Sequence, residues 1–207
     1  MAKQGQGAAG GLDAFMNAAR EGGKKGLPPV HLWNPPFCGD LDMRIAADGT
    51  WFYMGTPIGR PALVRLFSTV LKREDDDYFL VTPVEKCRIR VDDAPFNAVE
   101  MQIEAAGDDQ RIAFRTNVDD RVICGPGHAM RFAIGAADGV MPYVHVRSGL
   151  WARVTRALYY DLVALGIERE IDGQTMFGIM SSGEFYAMCP AEDISRAMSA
   201  DEQARRA

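Results

Sequence analysis

No apolar run in this 207-residue chain approaches the roughly 18 residues that a membrane-spanning helix requires, so no membrane span is expected. The first ten residues, rich in Gly, Ala and Gln, have no apolar core behind their charge, so no export signal is visible and a cytoplasmic location is expected. Cysteine is sparse. Cys38, Cys87, Cys124 and Cys189 form no C-x-x-C pair, and His31, His128 and His145 are too scattered to complete a tetrahedral site. No metal and no cofactor are therefore expected. In a reducing compartment the cysteines read as small buried hydrophobes. Cys38 stands apart, in a Pro/Gly loop beside Asp40 and Asp42, a setting not expected to make it a nucleophile. Walker, G-x-S-x-G, H-E-x-x-H and G-x-G-x-x-G signatures are all missing, and Gly125-Pro126-Gly127 has a proline where a phosphate loop wants a free amide. No catalytic residue is assigned, and an enzyme is not the expected reading.

Charge excludes a further class. The chain has 28 acidic against 23 basic residues, a formal charge of -5, which argues against general nucleic-acid binding while leaving room for a local basic patch. With 47% hydrophobic residues it has the means to build a core, and its length suits one large or two small domains.

Along the chain, Leu12 to Glu21 predicts a short peripheral helix behind a loose tail (1–27), and the four prolines of Pro28 to Gly39 predict an extended loop carrying Trp33. From Asp40 the pattern has period two, with Leu41, Met43 and Ile45 on one side and Asp40, Asp42 and Arg44 on the other. A turn at Asp48-Gly49 and a second strand over Thr50 to Thr56 complete a hairpin. Pro61 opens an amphipathic helix predicted over Ala62 to Arg73. Strands are predicted over Tyr78 to Val91, Ala98 to Ala105 and Arg111 to Val118. A helix is predicted over Leu150 to Leu165, ended by Gly166, then strands at Ile167 to Ile171 and Thr175 to Met188, and a C-terminal surface helix or tail (191–207).

Setting Ala46 to Val64 over Ala136 to Val154, a shift of 90, gives eight identities in 19 positions, including Ala-Ala-Asp-Gly at both turns, Tyr53 with Tyr143 and Gly59 with Gly149. The expected fold is α+β: two small domains of antiparallel sheet plus helix, 28–95 and 96–190, related by internal duplication.

The candidate functional residues concentrate in the first half. Trp33-Asn34 and Asp40-Leu41-Asp42 lie on a proline-rich segment that is costly to order, although structural roles for Trp33, Asn34 and Asp40 fit equally well. Lys86, Arg88 and Arg90 share one strand face that suits a phosphate, or else is a solvated face offset by Glu85, Asp92 and the acidic run 74–77. Arg60, at a helix start where the dipole disfavours a cation, is expected to meet an aspartate or an anionic ligand. Asp40 and Asp42, at i and i+2, make a possible carboxylate pair, with Arg44 on the same face.

The strings W-N-P-P-F-C-G-D-L-D-M-R-I (33–45), G-T-P-I-G-R-P-A-L-V-R-L-F-S-T-V-L (55–71) and Y-F-L-V-T-P-V-E-K (78–86) resemble the motifs of a proteobacterial family, domain of unknown function number 1285, over roughly 28–190. The resemblance implies a two-domain α+β protein with duplicated motifs and a second half superficially like a pleckstrin-homology domain. Its signature falls on Trp33, Asn34, Gly39, Asp40, Asp42, Arg60, Pro61, Glu85 and Lys86, and it implies no reaction. The expected function is a non-enzymatic ligand-binding or signalling protein that holds a small anionic, nucleotide-like ligand between its two domains. Trp33 would stack on a planar group, Arg60 and Lys86 meet negative charge, Asn34 and Asp40 fix orientation, and Asp42, Arg44 and Glu85 complete the set. One alternative is a protein-interaction module using strand edges or the Leu150 to Leu165 segment. Another is a hydrolase dependent on Asp40 and Asp42.

Overall fold

The computed structural model describes residues 27–105, 107–134 and 139–194, with backbone alone at residue 108. The expected N-terminal helix, the tail beyond residue 194 and the Ala136-Ala137-Asp138 turn lie outside the described residues.

The chain forms two compact units, one of residues 27–96, 117–119 and 147–150, the other of the remaining described residues. Unit 1 runs β1 (Phe37–Ile45), β2 (Trp51–Tyr53), β3 (Thr56–Pro57), α1 (Pro61–Thr69), β4 (Leu71–Glu74), β5 (Asp77–Val81) and β6 (Lys86–Val91). The strands make a six-stranded sheet in the order β3-β2-β1-β6-β5-β4. Its hairpins are antiparallel, but β1 and β6 pair in parallel, Asp40 opposite Arg88 and Ile45 opposite Val91, so the sheet is mixed rather than wholly antiparallel as expected.

Alternation decides which face is covered. Met43 and Ile45 on β1 and Cys87 and Ile89 on β6 are buried, together with Trp51, Phe67, Leu71 and Leu80. The rings of Trp51 and Phe67 stack with centroids 6.4 Å apart, which joins the helix to the sheet. The helix is shorter than expected. Val70 caps it and Leu71 already starts β4, because the buried Val70, Leu71 and Leu80 satisfy a strand as readily as a helical stripe.

The second set of strands is β7 (Phe96–Ala105), β8 (Arg111–Thr116), β9 (Arg121–Ile123), β10 (Met130–Ile134), β11 (Val140–Arg147) and β12 (Leu150–Val154), followed by α2 (Arg156–Ala164) and a three-stranded sheet, β13 (Ile167–Ile171), β14 (Gln174–Ser181) and β15 (Glu184–Pro190). The six-stranded sheet has the order β10-β11-β12-β7-β8-β9. Counted within its own set, this is third, second, first, sixth, fifth, fourth from the β9 edge, the same order as in the first sheet. The fold is therefore α+β with an internal duplication.

The register of the repeat differs from the one the sequence suggested. A shift of 90 lays β1–β2 over β10–β11, whereas the matching first strands are β1 and β7. Gly59 lies just before a helix, but Gly149, at φ +75, turns the β11–β12 hairpin, and Ala152 and Val154 are strand residues where Ala62 and Val64 are helical. The identities thus fall on non-equivalent hairpins. The helix expected over Leu150 to Leu165 likewise splits: Leu150, Ala152 and Val154 are buried at period two, and α2 begins only after Thr155. Among the described residues no helix is long and apolar enough to cross a membrane.

Phe67 is fully buried against Trp51, so Phe67→Ala is expected to cost about 3–5 kcal/mol, read as a lower urea midpoint at an unchanged slope.

Candidate functional site: a charged face across β1 and β6

The outward side chains of β1 are Asp40, Asp42 and Arg44, as the alternation predicted, and those of β6 are Lys86, Arg88 and Arg90. Parallel pairing places them in register, and the result is a lattice of opposite charges. Arg88 donates from Nε to Asp40 Oδ1 at 2.8 Å and from Nη2 to Oδ2 at 3.1 Å, a bidentate fork, with Asp77 Oδ2 3.7 Å from its Nη1. Arg44 Nη1 donates to Asp92 Oδ2 at 2.7 Å while its guanidinium lies 4.5 Å from the Phe52 centroid, and Arg90 Nε is 3.5 Å from Asp92 Oδ1. Above this lattice is an open depression of about 320 Å³, lined by Asp40, Asp42, Arg44, Asp77, Arg88 and Arg90 over Leu41, Met43 and Ile89. Three arginines face three aspartates. The hydrogen bond from Arg88 holds the Asp40 carboxyl below the usual carboxylate range. Asp42 has no ionic partner among the described residues.

Lys86 belongs to a neighbouring cluster. Glu74 lies between two ammonium groups, with Lys86 Nζ at 2.5 Å from Oε2 and Lys72 Nζ at 3.0 Å from Oε1, and Lys72 also donates to the Trp33 carbonyl at 2.9 Å. That bond, with the Lys86 amide donating to Pro36 O, fastens the proline-rich loop. Lys86 Nζ further sits 4.8 Å from the Phe79 ring centroid, and Phe37 meets Phe79 edge-on. The hydrogen bonds from Lys86 and then Lys72 lower the Glu74 pKa. Glu85 is the opposite case. Its Oε1 is buried with no hydrogen-bond partner among the described residues, and burial pushes its pKa up. Burial, followed by the Glu85 charge, also pushes the Cys87 thiol up to about 11, so Cys87 is held as a neutral thiol.

All eight sequence candidates lie in unit 1, but they do not converge. Asp40, Asp42 and Arg44 line the depression. Lys86 is taken up by Glu74, Glu85 turns inward, Trp33 is half-buried and anchored through its backbone, and Asn34 is exposed. Arg60 is the exposed N-cap residue of α1 and has no ionic partner among the described residues, so of the two partners expected, an aspartate or an anionic ligand, the aspartate is not found there. Arg88, named as part of a basic face but not as a site residue, proves to be its centre. The signal was present, since D-L-D-M-R and K-C-R-I-R alternate charge with the same period, but their pairing was not legible from either string. Cys87 and Cys124 are buried as expected, whereas Cys38 is exposed. Among the described residues no group of three or more His, Cys, Asp or Glu could hold a metal ion.

Comparison with known proteins places the chain. Residues 28–94 match the N-terminal domain, and residues 95–188 the C-terminal domain, of the domain of unknown function DUF1285. The chain belongs to the DUF1285 family. A crystal structure of a DUF1285 protein from Silicibacter pomeroyi DSS-3 is similar over 87% of this chain and 97% of that one, with 52% identity and a TM-score of 0.79. A DUF1285 protein from Shewanella baltica OS155 is 29% identical over 60% of this chain and 91% of that one, with a TM-score of 0.49. No curated protein matches. Of the residues that the resemblance singled out, Asp40 and Asp42 line the depression, whereas Trp33 and Lys86 take part in the backbone hydrogen bonds that fasten the proline-rich loop.

Glu74 and Glu85 give opposite pH signatures. The folded pKa of Glu74 is lowered, so its stabilisation is present above its unfolded pKa of about 4.5 and is lost as pH falls through the folded value. That of Glu85 is raised, so its contribution is present below about pH 4.5 and is lost as pH rises through the folded value. Thermal melts are expected to show Glu74→Gln lowering Tm at pH 7 and converging with wild type at low pH. Glu85→Gln should raise Tm at pH 7, with the gain gone in acid.

Proposed function

We propose that this DUF1285 protein is a non-enzymatic, cytoplasmic ligand-binding or sensory protein, and that the charged face across β1 and β6 receives the anionic group of a small ligand. The observation that supports the reading is the Arg88–Asp40 fork. Its members are 44% and 66% exposed, so the pair is solvated and contributes little to the stability of the sheet. A phosphate or carboxylate offers Arg88 the same bidentate geometry that Asp40 does, and exchanges one solvated partner for another. Arg90 and Arg44 lie on the same face for further anionic oxygens, and Asp42 remains as an acceptor for a ligand hydroxyl or amine. The balance of three arginines and three aspartates favours a ligand with both an anion and hydrogen-bond donors, as in a nucleotide or a polar metabolite, over a bare polyanion. Trp33 and Arg60 keep only a peripheral part in this reading.

The proposal is tested by thermal-shift screening against nucleotides and polar carboxylates, followed by calorimetry on any hit. Arg88→Gln should weaken the hit at least tenfold, and Asp40→Asn, which frees the fork, should tighten it, both effects shrinking at high salt. A panel without a single shift, or affinities indifferent to both substitutions, overturns the reading.

A further inference from the structure

The three-stranded sheet of unit 2 carries a second candidate site, built on different chemistry. Cross-strand partners share a face, so the pairings Ile167 with Gly178, Arg169 with Met176 and Met180 with Phe185 place these residues on one side of the sheet. The opposite side holds Phe177, Ile179 and Met188, all buried. The outer side is apolar nonetheless: Ile167 and Ile171 are 46% and 36% exposed, and Met176, Met180 and Phe185 are half-buried. Gly178 keeps its middle low, since a Cβ there would come within 2.4 Å of Tyr186 O and 2.6 Å of Phe185 Cζ. A cavity of about 700 Å³, within the usual range for small-molecule sites, is lined here by Leu165, Ile167, Met180 and Gln110, with Arg169 among them.

Arg169 gives this apolar surface its polarity. Its guanidinium lies 5.9 Å from the Phe185 centroid, and its Nη1 is 4.0 Å from Met180 Sδ. It has no carboxylate partner among the described residues. Glu168 and Glu170, its strand neighbours, alternate to the other face. A single cation set into an aliphatic and thioether surface complements a molecule with one anionic head and one apolar chain. We infer that this cavity binds a free medium-chain carboxylate, its headgroup on Arg169 and its chain along Leu165, Ile167 and Met180.

The test is calorimetric titration of the full chain with decanoate, with decanol and acetate as the headless and tailless controls. Decanoate is expected to bind saturably and each control at least tenfold more weakly. Arg169→Gln should cost roughly tenfold or more for decanoate, in line with loss of a charge-assisted hydrogen bond, with decanol unchanged. Arg169→Lys should keep most of the affinity, and Ile167→Asp, at an exposed position, should weaken decanoate and decanol alike. The inference is overturned if decanoate does not bind, if decanol or acetate binds as tightly, or if Arg169→Gln leaves decanoate within twofold of wild type. Sedimentation with phosphatidylglycerol vesicles in the absence of decanoate binding would overturn it in favour of a membrane surface.

Discussion

Parallel pairing of β1 with β6 is the contact on which unit 1 depends. It closes the six-stranded sheet by joining its first strand to its last, and it sets the two charge-alternating segments side by side. Slipping that pairing by one residue would turn every side chain of one strand to the wrong face: Met43 and Ile45 would meet water, and Asp42 and Arg44 the core. The buried methionine and isoleucine therefore fix the register. The Arg88–Asp40 fork is a by-product of a hydrophobic decision, which explains how so exposed an ion pair attains bidentate geometry.

The faces of individual strands were legible in the sequence, because alternation is local. Asp40, Asp42 and Arg44 stand outward, Lys86, Arg88 and Arg90 share a face, and the turn at Asp48-Gly49 falls where its residues predicted, with Gly49 at positive φ. What was not legible is non-local. Nothing in either string says that Asp40 lies opposite Arg88, that Glu74 bridges Lys72 and Lys86, or that Ser181 accepts the Ile112 amide and donates to Cys124 O. Ambiguity of period explains the two misplaced helix boundaries, since Leu150 and Val154 lie four apart and satisfy strand and helix templates together. The duplication was visible, but in the wrong register. Asp-Gly turns recur wherever a tight hairpin does, so identities at turns say less about descent than the shared strand order says about architecture.

The electrostatics of unit 1 divide into two regimes. At the surface, the aspartates and arginines of the depression compensate one another in water and can exchange partners at little cost. Beneath the proline-rich loop, Glu74 and its two lysines are more enclosed and serve to hold backbone in place through Trp33 O. Residues of the same charge type thus do different work within one sheet, and only solvent access separates them.

The closing strand pair also bears on how the polypeptide reaches its native state. Asp40 and Arg88 are 48 positions apart, so β1 emerges from the ribosome well before its central partner exists. Until β6 is synthesised, one edge of β1 stays open, with its backbone N–H and C=O groups unpaired on that flank, and loop closure across the intervening hairpins must precede any gain. Nascent chains of this protein accordingly pass through an interval in which a central strand behaves as an exposed edge, the stage at which a chaperone or a neighbouring chain can pair with it.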